Sequence, residues 1–164
     1  MIFSFMRISK KEVLVIFFCS AFLALADNAS SEILSVQGEK VSLRTDPDPK
    51  AKVIWEYGSG FPLEVLKRQG EWVMVKDFEN DSGWIHKSKL QKGKAVIVKA
   101  NPRGEKAINI RSGPGIENPI VANAYYGVVF SAQERKDSWI QVSHESGNNG
   151  WTKPEFLWGN LKGK

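Results

Sequence analysis

The sequence predicts an all-β protein built as two small barrels in tandem, for three reasons. First, Val41-Ser42-Leu43-Arg44 returns as Ile108-Asn109-Ile110-Arg111, and the same offset of 67 lays Val53-Ile54 on Ile120-Val121, Gly60 on Gly127, Trp72 on Trp139 and Gly83-Trp84 on Gly150-Trp151. Chance does not hold rare tryptophans and turn glycines in common register over about fifty positions, so one unit is written twice. Second, apolar and polar residues alternate in short runs, as strands with one buried face require, and no segment keeps a helical period for a dozen residues. Third, turn residues punctuate these runs at even, short spacing, the pattern of small barrels.

The chain opens on a segment that does not belong to the fold. Arg7, Lys10 and Lys11 precede an apolar run from Val13 to Leu23 and then Ala24-Leu25-Ala26. Basic, apolar and small-x-small regions in that order read as a secretory signal peptide over residues 1–26, cleaved after Ala26. The run falls short of the roughly 20 apolar residues that span a bilayer, so no stable membrane span is expected after cleavage. The expected location is periplasmic or secreted. Cys19 is the one cysteine, so the mature chain would carry no thiol, disulfide or cysteine-bound metal. Removing three basic and one acidic residue from 23 and 18 leaves a net charge of +3. Such mild basicity suits anionic envelope polymers, while lysines and arginines scattered along the chain give nucleic acid no stripe to bind.

Residues 27–35 read as a tether ending in a first edge strand, residues 36–91 as barrel 1 and residues 95–160 as barrel 2, joined by the brief connector Gln91-Lys92-Gly93-Lys94. In each copy the strand Val41-Ser42-Leu43 or Ile108-Asn109-Ile110 runs into a loop rich in proline, and a second strand begins at Val53 or Ile120. After Gly60 or Gly127, Phe61, Leu63 and Val65, or Val128, Phe130 and Ala132, share one face. Val73 and Val75, or Ile140 and Val142, take the buried parity of the next strand, so Trp72 and Trp139 should point to its other side. The hairpins Phe78–Gly83 and Glu145–Gly150 carry strong turn chemistry and lead into the closing strands.

Taken together, apolar-x-Arg-x-(Gly/Asp)-Pro, the Val-Ile strand, the turn glycine, Trp-x-x-Val and Gly-Trp closing on Leu90 or Leu157 resemble the bacterial SH3-like domain, present twice. The second copy's Asn109-Ile110-Arg111-Ser112-Gly113-Pro114-Gly115 follows the pattern closely, whereas the first has Asp46 and Asp48 in place of glycines. The resemblance implies a five- or six-stranded barrel and a binding role in the cell envelope, through peptidoglycan or protein partners. It implies no catalysis and no cofactor.

Candidate ligand-binding residues follow from parity and from that resemblance. Trp72 and Trp139, turned off the core, would line a groove of the kind that takes extended peptides, with Tyr57 beside Trp72 and Tyr125 or Tyr126 beside Trp139. The same rings could instead form the interface between the barrels. Arg68 and Arg135, on the bend before each Trp, could meet a carboxylate or stack on an aromatic face. Arg44 and Arg111 suit hydrogen bonds to loop carbonyls, and Trp84 and Trp151 suit the barrel core or its end. His86 and His144 have Lys153 and Asp77 as counterparts, no nucleophile motif is present, and no metal or catalytic residue is expected. The function expected on these grounds is a non-catalytic envelope module that recognises peptidoglycan in its peptide portion, with a protein-binding adaptor as the alternative.

Overall fold

The computed structural model describes residues 31–103 and 106–162, so the expected signal peptide and the start of the tether lie outside the described residues. The alternating runs of the first copy form β1 (Ile33–Val36), β2 (Val41–Arg44), β3 (Val53–Tyr57), β4 (Pro62–Gln69), β5 (Trp72–Lys76), β6 (Ser82–His86) and β7 (Leu90–Lys92). Those of the second form β8 (Ala95–Val98), β9 (Ile108–Arg111), β10 (Ile120–Ala124), β11 (Val129–Lys136), β12 (Trp139–Ser143), β13 (Asn149–Thr152) and β14 (Leu157–Gly159). Helical structure among the described residues is confined to one 3-10 turn per copy, Lys87–Lys89 and Pro154–Phe156.

Both sheets are seven-stranded and antiparallel, ordered β3-β2-β6-β5-β4-β1-β7 and β10-β9-β13-β12-β11-β8-β14. The orders are identical once each strand number is advanced by seven, and the registers agree as well: Leu43 faces Trp55 where Ile110 faces Ala122. Against the resemblance's five or six strands, the extra pairing comes from β7 and β14, which fold back on β1 and β8. The strand expected at the edge, β1, lies between β4 and β7 instead, because Leu34 and Val36 carry enough apolar surface to be buried there.

Each barrel has its own core. Val36, Leu43, Leu63, Val75 and Ile85 anchor the first, and Val96, Val98, Ala132, Ile140 and Val142 the second, all fully buried. The parity read from sequence holds: Val73 and Val75, and Ile140 and Val142, face inward. Gly83 and Gly150 are required by close approach, since a Cβ there would stand 2.6 and 2.7 Å from the carbonyl oxygens of Arg44 and Arg111. Trp84 and Trp151, expected in the core or at its end, are buried but lie outside both core clusters. They alternate with Ile85 and Thr152 along the closing strand, so they stand opposite Arg44 and Arg111 on the outer side. Lys67 covers the Trp84 ring with its Nζ 5.1 Å from the centroid.

The barrels meet through side chains. Phe78, at the tip of the β5–β6 hairpin, packs 5.2 Å from Tyr126 and 6.5 Å from Trp158. The Tyr126 hydroxyl donates to Glu79 Oε1 at 2.7 Å, and Asn160 Nδ2 donates to the connector carbonyl of Gly93 at 2.8 Å. No helix among the described residues is long and apolar enough to cross a membrane.

Candidate functional site: a groove repeated on each barrel

The loop after β2 is pinned from its base. Arg44 Nη1 donates to the carbonyl of Ala51 at 2.7 Å, and Arg111 Nη1 to that of Asn118 at 2.7 Å, an identical bond one repeat later. Next to each pinned loop lies a groove, about 290 Å³ on barrel 1 and about 360 Å³ on barrel 2. The walls correspond residue by residue: Ser42 with Asn109, Arg44 with Arg111, Pro49 with Ile116, Trp72 with Trp139, His86 with Lys153, and Lys89 with Phe156. Duplication has therefore copied a concave surface as well as a core.

The two grooves differ in chemistry. In groove 1 the Trp72 ring meets His86 edge-on at 5.4 Å, because the two residues are directly opposed on β5 and β6. The His86 Nδ1 accepts the backbone N–H of Ser88 at 3.4 Å and lies 2.8 Å from the Ser88 hydroxyl, which orients the imidazole. Lys40, Arg44 and Lys89 line the same groove with Glu39, so its walls carry an excess of positive charge. In groove 2 the Lys153 ammonium sits 4.6 Å over the Trp139 ring while donating to the Ser138 hydroxyl at 2.8 Å. A cation over an indole face is attracted by the ring quadrupole, which keeps Trp139 covered and only 8% exposed. Ile116 and Phe156 make this groove more apolar, and Glu155 adds an acid.

The remaining sequence candidates go elsewhere. Tyr57 does not join Trp72: it is 2% exposed in the core, and its hydroxyl donates to Asp77 Oδ2 at 2.9 Å. Burial chiefly, and then the Asp77 carboxylate, push its pKa far above the ordinary tyrosine value. Asp77 itself is buried because its other oxygen accepts the N–H groups of Glu79 and Asp81, both at 2.9 Å, and so fixes the hairpin. Tyr126 belongs to the seam, where burial and the Glu79 bond raise its pKa to about 12. Tyr125 is exposed and lies outside the residues lining groove 2. Arg68 pairs with Glu32 at 2.8 Å rather than reaching the groove, and Arg135 is exposed on β11 and does not line groove 2.

His86, Lys153 and Ser42 went unnamed as groove residues at the sequence level. The signal was cross-strand: once hairpin length sets the register of β5 on β6, Trp72 must face His86. Among the described residues no group of three or more His, Cys, Asp or Glu side chains is placed to hold a metal ion.

Comparison with known proteins adds three findings. The chain is 22% identical over 159 residues to the "Putative N-acetylmuramoyl-L-alanine amidase YrvJ" of Bacillus subtilis (strain 168), covering 90% of this chain and 30% of that protein. Its fold is similar to NlpC1 of Trichomonas vaginalis at 14% identity and a TM-score of 0.35, covering 78% of this chain and 45% of that one. For NlpC2 of the same organism the values are 13% and 0.35, with 79% and 48% covered. The expected non-catalytic role, as wall-binding module or as adaptor, is corrected here: the relative matched along nearly the whole chain carries the name of an enzyme. Nothing within the barrels signals that relation, because they carry no nucleophile motif and the match spans only 30% of that protein. The model of the bacterial SH3 domain matches residues 37–92 and again 104–159, two spans separated by the same 67 positions, and the chain belongs to that family.

Proposed function

We propose that this chain works in enzymatic hydrolysis of amide bonds in the cell wall, with the two grooves seating the polymer for cleavage. The observation that carries the reading is the extent of the match to the amidase, which runs through both barrels and not through one of them. The chain spans 30% of that relative's length, so the seating role is assigned to this part. The groove chemistry supports it. In groove 1 the half-buried Trp72 indole offers apolar surface to sugar rings or peptide backbone, and in groove 2 Ile116 and Phe156 offer it beside the Trp139 ring that Lys153 covers. Arg44 and Arg111 lie alongside with guanidinium donors left over from the loop bond. His86 adds an imidazole oriented by Ser88 to groove 1. Hydrolysis of a wall polymer places the chain in the cell envelope, in agreement with the leader expected over residues 1–26.

The test follows new amino groups released from purified sacculi. It is run with the chain alone and with the chain added to a separate wall amidase, each against Trp72→Ala/Trp139→Ala. Release by the chain alone puts the bond cleavage on it; faster release by the added amidase puts its part in seating the polymer. In both cases the double variant should lose most of the effect. No release and no acceleration would overturn the proposal.

A further inference from the structure

Trp55 is 60% exposed, whereas the other five tryptophans are buried or half-buried. Indole is seldom left in water to that extent, because it is among the largest apolar side chains. Trp55 stands on β3, the first strand of its sheet: one side pairs with β2 and, among the described residues, no strand pairs with the other. Val53 and Ile54 before it are 40% and 45% exposed, so an unbroken apolar run lies along an open edge, and none of the three lines either groove. Proteins ordinarily blunt such an edge, since it is a ready template for association.

The second repeat shows the blunted form. Its β10 is also the first strand of its sheet and keeps the apolar pair as Ile120-Val121, but Pro119 stands at the position of Lys52, Ala122 at that of Trp55 and Asn123 at that of Glu56. Proline brings no N–H to the edge, and the large ring is gone. The barrel therefore needs neither the indole nor the two charges that flank the run on β3. Lys52 and Glu56 are exposed, and neither has an ion-pair partner among the described residues.

We propose that β3 is an interface between two molecules of this chain, laid antiparallel about a two-fold axis at Ile54. The order Lys52-Val53-Ile54-Trp55-Glu56 is complementary to its own reverse. Lys52 then meets the partner's Glu56, Val53 meets the partner's Trp55, and each contact occurs twice, as a two-fold interface requires. Ile54 is the extra residue of a bulge and opposes no residue of β2, which leaves its side chain for the axis. The bulge also interrupts the ladder, so side chains and not a continuous row of main-chain bonds carry the contact. Three apolar side chains from each molecule bury less than the roughly 1,200 Å² of a stable complex, so the dimer is weak and forms with rising concentration.

The experiment is sedimentation velocity of the full chain from micromolar to millimolar concentration. Wild type should pass from monomer to dimer. Trp55→Lys should weaken the dimer about ten-fold or more, and Ile120→Lys on the matching strand of barrel 2 should leave it unchanged. Lys52→Glu and Glu56→Lys each set like charges opposite one another and should each weaken self-association. Mixed in equal amounts, those two variants should associate as tightly as wild type, because every charge then meets its opposite. All four substitutions fall on exposed side chains, so the fold should be retained. A monomer at every concentration, a dimer that survives Trp55→Lys, or a mixture no tighter than its components would each overturn the proposal. So would a monomer whose Trp55 fluorescence responds to wall fragments, which would give the strand to the polymer. Sacculus hydrolysis plays no part in this readout, so the two proposals fail independently.

Discussion

Replacing Phe78 with alanine tests how far the barrels depend on each other. Two of the ring's three aromatic partners, Tyr126 at 5.2 Å and Trp158 at 6.5 Å, lie in the second barrel, while Phe61 at 6.0 Å lies in its own. Aromatic pairs contribute about 0.5–1.5 kcal/mol each beyond area, so the two cross-barrel pairs supply about 1–3 kcal/mol. Exposing a half-buried phenylalanine site adds roughly 1 kcal/mol. For a chain of this size each kcal/mol moves Tm by about 4 °C, so Phe78→Ala should lower Tm by roughly 8–16 °C. Phe78→Leu keeps apolar volume but loses the ring contacts, and should fall between wild type and Phe78→Ala. Scanning calorimetry of the three proteins reads this directly. A Tm for Phe78→Ala within about 2 °C of wild type would show that the seam carries no stabilising contact and would refute the coupling.

Three further outcomes are expected. Gly83→Ala and Gly150→Ala should each cost about 3 kcal/mol in urea unfolding, because the new Cβ meets a backbone carbonyl that cannot move aside; a cost below about 1 kcal/mol in both would contradict the close approach. Tyr57 and Tyr126 keep their protons in the fold while unfolded tyrosine ionises near pH 10. Stability should therefore be independent of these groups below about pH 9 and fall as pH rises past 10, a slope that Tyr57→Phe reduces and that a flat urea midpoint to about pH 11.5 would disprove. Asp77→Ala removes the acceptor of the Tyr57 hydroxyl and of two hairpin amides, and should destabilise barrel 1 by about 3 kcal/mol or more in the same assay, with faster amide exchange at Glu79 and Asp81.

The architecture was legible because repeated residues report repeated geometry. Gly83 and Gly150 recur because a carbonyl passes too close for any side chain, and Arg44 and Arg111 recur because each bonds a loop carbonyl seven residues on. Parity on β5 and β12 separates Trp72 and Trp139 from the inward-facing Val73, Val75, Ile140 and Val142, but it does not reveal that Trp139 is buried all the same, under Lys153. What parity cannot give is the partner on a neighbouring strand or barrel. Tyr57 was expected beside Trp72 from proximity in the chain, but the buried Asp77 at the hairpin base draws its hydroxyl inward. For Tyr126 the sequence leaves a groove and the inter-barrel interface both open, and Phe78 from the other barrel takes its ring into the seam. Arg68 was expected on the groove, but Glu32 lies close enough to hold it away.

The most direct measurement is NMR of the six indole N–H groups during titration with soluble wall fragments. Seating of the polymer in the repeated grooves predicts that the signals of Trp72 and Trp139 move while those of Trp84 and Trp151 stay in place. Movement of Trp84 and Trp151 alone, or six signals unchanged by fragments that an amidase cleaves, would contradict it.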